Sequence, residues 1–481
     1  TVAAPAPAPS RDRYPLLFRG LLLSEPAMRP PRALLPLLLL VPTLAAAQGR
    51  RVTLRSGPMV GASDLREVKL WAQTTAPARV QVAYWDTAAP GVRHRTAEVL
   101  TRRDSANVAH LVADSVEPGR VYGYEVYVNG VRVARPYPLR FRTPPNWAYR
   151  TDPPAFTMLL GSCFYVREPG TDRPNSSYGD TTRIVRAMGQ MGAEVMLWLG
   201  DNAYLRETDW NSWTGILRRW THTRSLPELQ PLLGATANYA IWDDHDFGPN
   251  DADRGFWNKA QTRAGFELFF ANPGQGIPEL GGAITSQFSW GDVDVFLLDD
   301  RWYRAPDTRK EGPRPYFGEA QIQWLIDALT TSRATFKLVA VGGQVLNPAA
   351  LWENYATYPE ERQHLLDLIA AERIPGVVFL SGDRHHTELT RMDRPGTYPL
   401  YDLTISPLSA GVSAPAAFEH NTGRVEGTLV NALNFGALEF SGPRRARVMT
   451  IRVYDSGGKE LWTRALTAQD LGWPAAGGDE H

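Results

Sequence analysis

A series of short apolar segments, each closed by a knot of ligand-type residues, most limits how this chain can fold. Residues 156–160 end at Gly161-Ser162-Cys163, and residues 194–199 end at Gly200-Asp201. Residues 239–242 end at Asp243-Asp244-His245-Asp246, residues 293–298 end at Asp299-Asp300-Arg301, and residues 376–380 end at Ser381-Gly382-Asp383. A further apolar run covers 336–341. Runs of this length without alternation predict strands buried on both faces. Helical spacing at 181–191, 318–331 and 360–372 falls between them. Strands alternating with helices predict an α/β fold, with sheets flanked by helices. In such layered folds the C-terminal ends of strands face the ligand site, so residues far apart in sequence converge there.

The front of the chain has another period. Residues 68–73, 78–84, 121–128 and 131–134 alternate apolar with polar side chains, and Asn129-Gly130 separates the last two runs. That dipeptide is a two-residue hairpin signal. Residues 48–143 are therefore expected to form an N-terminal β-sandwich of immunoglobulin or fibronectin type. The Pro-rich stretch 144–155 reads as a linker and 156–467 as the main domain, with strands again at 437–440, 448–454 and 460–466. Residues 468–481 read as a tail. Within 1–47, Met28, Arg29 and Arg32 precede the apolar run 33–41 and the small residues Ala45, Ala46 and Ala47. This is the pattern of a secretory signal peptide starting at Met28, so a periplasmic or extracellular location is expected. Two prolines separate Arg29 from Arg32, which favours the general secretory route over a twin-arginine signal. No second apolar stretch of membrane length follows, so no stable membrane anchor is expected. Lys+Arg and Asp+Glu are equal at 51 each, a balance that gives no reason to expect a nucleic-acid partner. The oligomeric state is left open.

Many carboxylates brought to one place are costly unless positive charge neutralises them, and metal ions are the simplest source. The single cysteine, Cys163, has no intramolecular disulfide partner, so a metal-ligand role is one of its few uses in an exported protein. Cys163, Tyr204 and His385 offer sulfur, phenolate oxygen and nitrogen, a mix that suits a transition metal and favours a ferric ion. Asp244 and Asp383 offer carboxylate oxygen only, which suits calcium, and Asp201 is placed to bridge the two. Two metals can clamp a phosphate and generate a hydroxide nucleophile. His245 is then expected to orient the phosphate or protonate a leaving group. Arg301, Arg304 and Arg384 are candidates for bidentate phosphate binding, with a surface ion pair as the plain alternative for each. Asp246 reads as a helix N-cap, Asp299 and Asp300 as supporting residues, and Glu353 as a further site candidate.

Five blocks occur in a fixed order: Gly161-Ser162-Cys163, Gly200-Asp201-Asn202-Ala203-Tyr204, Trp242-Asp243-Asp244-His245-Asp246, Leu298 to Arg304, and Ser381 to His385. Together they resemble the alkaline phosphatase D family of metallophosphatases over roughly residues 50–440. Trp352-Glu353-Asn354-Tyr355 resembles that family's Trp-Asp-Gly-Tyr element. The resemblance implies a two-layer sheet core with helices outside, a metallophosphatase αββα sandwich. It implies a ferric ion held by Cys163, Asp201, Tyr204 and His385, and one or two calcium ions held by Asp201, Asp244 and Asp383. Asp243 would be a second carboxylate there or a supporting partner. Zinc or manganese is the alternative metal content. The expected reaction is hydrolysis of small phosphate monoesters by a metal-bound hydroxide, with Asp201, Asp244 and His245 in the catalytic centre. Phosphodiesterase or phospholipase D-type activity on the same site is one alternative. A non-catalytic exported binding protein is the other.

Overall fold

The computed structural model describes residues 51–172, 178–179, 182–274 and 276–473. The expected signal peptide and most of the expected tail lie outside these residues. Two large sheets carry the architecture. The first has nine strands, in the order Glu460–Thr467, Val448–Asp455, Asn434–Ser441, Phe156–Gly161, Val195–Leu199, Ala237–Ile241, Leu54–Ser63, Val68–Thr74 and Val108–Ala113. Its central strands Phe156–Gly161, Val195–Leu199 and Ala237–Ile241 run parallel. The second has six strands, in the order Ser286–Trp290, Val293–Leu297, Phe336–Ala340, Val377–Ser381, Leu400–Thr404 and Glu388–Met392. Four of those, from Val293–Leu297 to Leu400–Thr404, are parallel.

The fully apolar strands form because each side of the sheet has a partner. Along Val195–Leu199, Val195, Leu197 and Leu199 enter the core shared with the second sheet. Met196 and Trp198 enter a separate core under the helices. That is the period of two expected of a strand buried on both faces. Rings close the space between the sheets: Tyr239 stacks on Phe288 at 3.6 Å between centroids, and Phe156 lies 6.4 Å from Trp290. Helices Arg183–Gln190, Trp213–Arg224 and Lys259–Phe269 cover the first sheet with Ile184, Met188, Ile216, Trp220, Phe266 and Phe269. Helices Glu319–Thr331 and Pro359–Ala371 add Leu325, Leu329, Leu365 and Ile369 on the second. Each such side chain contributes about 2 kcal/mol by leaving water. The layers run helix, sheet, sheet, helix.

The N-terminal strands form a β-rich region of two sheets. Arg79–Asp86, Val121–Val128 and their short neighbours make one, and Asn129 and Gly130 turn the hairpin there with φ of 50° and 75°. The other is continuous with the nine-stranded sheet, because Leu54–Ser63 pairs in parallel with Ala237–Ile241 through Val60 and Ala237. The strand Leu54–Ser63 escapes sequence pattern because Gly57, Pro58 and Gly61 interrupt it. Register shifts along its pairing with Val68–Thr74 accommodate the proline. Among the described residues, no helix is long and apolar enough to cross a membrane.

Candidate metal centre

The parallel strands of both sheets deliver their C-terminal ends to one place. Cys163 follows Phe156–Gly161, Asp201 and Tyr204 follow Val195–Leu199, and Asp243, Asp244 and His245 follow Ala237–Ile241. Asp383 and His385 follow Val377–Ser381 on the other sheet. The loops are sharp. Cys163, Asp201, Asp383 and His385 all have φ between 54° and 58°. Non-glycine residues rarely adopt this left-handed region, and where they do the surroundings hold them for a purpose. Gly200 precedes Asp201 with φ of 88°, and a Cβ there would lie 2.7 Å from Asp243 Cβ. Gly382 precedes Asp383, and a Cβ there would lie 2.3 Å from Leu199 O. Gly200 therefore lets two loops of the first sheet touch, and Gly382 lets a loop of the second sheet reach the first.

Donor atoms of Cys163, Asp201 and His385 lie within 4.8 Å of one another, as do those of Asp201, Asp244 and His245, and those of Asp243, Asp244 and Asp383. Tyr204 joins the first group, with its hydroxyl 3.4 Å from His385 Nε2. Cys163 Sγ is 3.6 Å from Asp201 Oδ2 and 3.1 Å from Ser406 Oγ, which donates to it. Asp246 fastens the ligand loops together. Its carboxylate accepts from Ala203 N at 2.7 Å, Asn202 N at 3.0 Å and Asp243 N at 3.3 Å. It thus serves the loop between Asp201 and Tyr204 and the start of the next at once.

Electrostatics make this cluster short of positive charge. Burial, reinforced by Asp244, pushes Asp201 well above the carboxylate range. Burial and Glu353 push Asp383 up to about 8. Burial and Asp201 push the Cys163 thiol up, and the Tyr204 phenol likewise. Asp244 goes the other way: burial works against its charge, yet His245 and Arg301 hold it at about 2. Burial lowers His385 to about 4 and lowers His245 as well, so both imidazoles are neutral at neutral pH and free to donate a lone pair. Asp243 Oδ2 and Asp244 Oδ1 are buried without a hydrogen-bond partner. An orphaned carboxylate oxygen in a dry cluster is costly unless a cation meets it. Acids, thiol, phenol and neutral imidazole around such oxygens form a donor set that fits metal ions.

Comparison with known proteins agrees. The family model for PhoD-like phosphatases matches residues 176–448, more than half of the chain. The chain belongs to the PhoD-like phosphatase family. A second model, for a domain of unknown function (DUF7800), matches residues 51–146. Alkaline phosphatase D of Bacillus subtilis is 22% identical over 343 residues, covering 60% of this chain. The match spans 54% of that relative, about half its length. A solved structure of PhoD superposes with a TM-score of 0.65 at 17% identity, covering 88% of this chain and 93% of that one. A purple acid phosphatase from yellow lupin (Lupinus luteus) superposes with a TM-score of 0.62 at 11% identity, covering 87% of this chain and 77% of that one. Both likenesses show the metallophosphatase-like fold.

In this PhoD-like chain three sequence-based assignments change. Arg301, Arg304 and Arg384 are buried and engaged by the protein, so they do not present free guanidinium groups to a phosphate. Arg301 donates to Asp243 at 2.6 Å and to Glu353 at 3.0 Å. Arg304 pairs with Glu353 at 2.8 Å and with Asp307 at 3.1 Å. Arg384 bonds Gln344, Asn354 and Glu419. A buried guanidinium needs such acceptors, and the neighbouring acids supply them first. Asp299 and Asp300 are supporting residues, accepting from Trp242 Nε1 and Gly343 N at 2.9 and 3.1 Å. Sequence pattern missed Asp251, whose carboxylate lies within 4.8 Å of Asp244 and Glu353 donor atoms. No apolar strand precedes Asp251, so nothing in the pattern marked it. Glu353, raised only through the Trp352 to Tyr355 block, belongs to the same group.

Proposed function

We propose that this PhoD-like chain is an exported, metal-dependent phosphoesterase that hydrolyses phosphate monoesters. The observation that carries this reading is the pair of partnerless carboxylate oxygens on Asp243 and Asp244 inside a buried cluster of acids, thiol, phenol and imidazole. The name of the Bacillus relative, alkaline phosphatase D, supports the same reaction class. Cys163, Asp201, Tyr204 and His385 would hold a ferric ion, and Asp201, Asp244 and Asp383 would hold calcium. Bound there, the metals would supply Lewis acidity toward phosphate oxygens and lower the pKa of water.

The chain's own residues do the rest. Asp201 Oδ1 accepts from His245 N at 3.3 Å, which sets the His245 ring beside the acids. That ring packs on Tyr204 at 4.2 Å between centroids, and its side chain is 22% exposed. It therefore reaches the mouth of the site. As a neutral imidazole it would accept the proton that the attacking water loses and, as the imidazolium, hand it to the departing alcohol. Water is consumed, the P–O bond to the alcohol breaks, and the alcohol leaves with a proton. Export rests on the sequence within 28–48, and N-terminal sequencing of protein recovered from the medium or periplasm tests it.

The direct experiment measures hydrolysis of p-nitrophenyl phosphate and bis-p-nitrophenyl phosphate by metal-reconstituted protein. Higher kcat/KM on the monoester, lost in Asp201→Asn, is the expected result. Higher efficiency on the diester replaces the monoesterase reading with a phosphodiesterase. Activity unchanged in Asp201→Asn removes the site from the reaction.

A further inference from the structure

Arg384 ties two loops to the mouth of the site. Its Nη1 donates to Asn354 Oδ1 at 2.6 Å, and its Nη2 donates to Glu419 Oε2 at 2.7 Å. In sequence it stands between Asp383 and His385, two of the candidate ligands. The first loop also carries Glu353, within 4.8 Å of Asp244 and Asp251. Each loop bears a large apolar side chain in water: Trp352 is 64% exposed and Phe418 is 90% exposed. A third, Val412, is 46% exposed. Its neighbour Ser413 donates its backbone N–H to His385 O at 2.8 Å. Consecutive Cα atoms are about 3.8 Å apart, so each apolar side chain starts one or two residues from a group that builds the site. Single exposed apolar residues are ordinary. These three stand on loops that are tied to the same ligand segment.

The backbone supports this independently. Trp352 and Glu353 have φ of 49° and 63°. For a bulky residue this conformation is strained and persists only where the surroundings impose it. Here Glu353 is fixed by Arg301 and Arg304, and Asn354 by Arg384. The fold thus holds a tryptophan in solvent, in a strained conformation, beside the acids.

We infer that Trp352, Phe418 and Val412 form an apolar jaw that takes the alkyl or aryl arm of the phosphate ester. The inference rests on the phosphoesterase reading above and names its substrate class, esters with an apolar organic group. The jaw residues determine specificity and touch the arm, not the reacting atoms. Arg301, Arg304 and Arg384 are buried and paired with protein carboxylates, so these three guanidinium groups are not exposed to an anionic arm.

The test compares hexyl phosphate with methyl phosphate on the metal-loaded full chain. Binding of hexylphosphonate and methylphosphonate, which are not hydrolysed, is measured beside it by calorimetry. The wild type should prefer the hexyl compound in both assays, by about tenfold, the scale of discrimination by apolar pockets. In the Trp352→Ala/Phe418→Ala double variant both ratios should fall toward one, while Trp352→Phe should keep them. A wild type that treats the two alike, or a double variant that keeps the preference, overturns the jaw. Preference seen only for esters embedded in phosphatidylcholine vesicles also overturns it, in favour of docking to a lipid surface. Phosphonates that discriminate without turnover of either ester would sink the phosphoesterase reading and leave the jaw standing.

Discussion

The Arg301 guanidinium lies against the Asp243 carboxylate, Nε donating to Oδ1 at 2.6 Å, with both side chains fully buried. The same guanidinium reaches Glu353 at 3.0 Å. One cation therefore serves two acids of the candidate metal centre. Removing one member of a buried pair leaves an uncompensated charge, which costs about 3–5 kcal/mol. Arg301→Met is expected to lose about that much in urea denaturation. Arg301→Lys should recover little, because a single ammonium does not span two carboxylates as a planar fork does.

The proposed sulfur and phenol ligands make a sharper prediction about metals. Cys163→Ser replaces a soft donor by a hard one, and only the group with Tyr204 and His385 includes that donor. Metal analysis of the folded variant by inductively coupled plasma mass spectrometry should show iron falling well below calcium. Equal loss of both would reject the division of ligands.

Stability against pH follows from the raised acids. Burial and neighbouring charge lift Asp383 to about 8, and burial lifts Asp246 and Asp251 to about 7. An unfolded aspartate titrates near about 3.9. The folded protein therefore holds these protons more tightly than the unfolded chain. Their contribution to stability is complete below pH of about 4 and is lost as pH rises through 7 to 8. Asp244, held at about 2, opposes this only in more acid solution, and His385, held at about 4, opposes it in part up to its unfolded value of about 6.5. Chelated protein should thus show a melting temperature that falls between pH 4 and pH 8. Added calcium, which on the proposed reading binds the ionised carboxylates, should flatten or reverse that fall. A chelated protein whose melting temperature climbs across this interval would contradict the direction of these shifts.

The sequence revealed the parts of this site that sit at the ends of apolar strands. Cys163, Asp201, Asp244 and Asp383 each follow such a run, and parallel strands carry their ends to one edge. Tyr204 was legible through its spacing from Asp201. Asp251 was not, because it lies in a loop whose path is set by the bond from its backbone N to Asp244 Oδ2 at 2.7 Å. The roles of Arg301 and Arg384 were also hidden. A phosphate-binding arginine and a buried arginine in an ion pair have the same sequence, and only the positions of Glu353 and Glu419 separate them. The continuity of the front strands with the main sheet was invisible too, since Leu54–Ser63 reads as a Gly- and Pro-broken segment.

On the proposed mechanism His245 acts on the leaving group. A general acid contributes about 10²–10⁴-fold, and most where the departing alcohol is a strong base. His245→Ala should slow hydrolysis of an alkyl phosphate far more than that of p-nitrophenyl phosphate, whose leaving group needs no proton. Rates measured across a leaving-group series check this. A uniform loss across the series would assign His245 to phosphate positioning instead.

The front region and the catalytic sheet should unfold together, because Leu54–Ser63 covers the edge of Ala237–Ile241. Gly61 lies in that strand, and a Cβ there would meet Ala271 Cβ at 2.4 Å and Ala271 O at 2.6 Å. The neighbouring Ala62 N donates to Ala271 O at 2.8 Å, so Ala271 cannot retreat without breaking a ladder-like bond. Gly61→Val therefore forces the strand and the segment after Lys259–Phe269 apart, at a cost of about 1–3 kcal/mol. If the sheet is one cooperative unit, tryptophan fluorescence and release of bound metal should shift to lower temperature by the same amount. A variant that unfolds in two steps, with the metal retained through the first, would show that the front strands are an independent module and that the shared sheet edge does not stabilise the site.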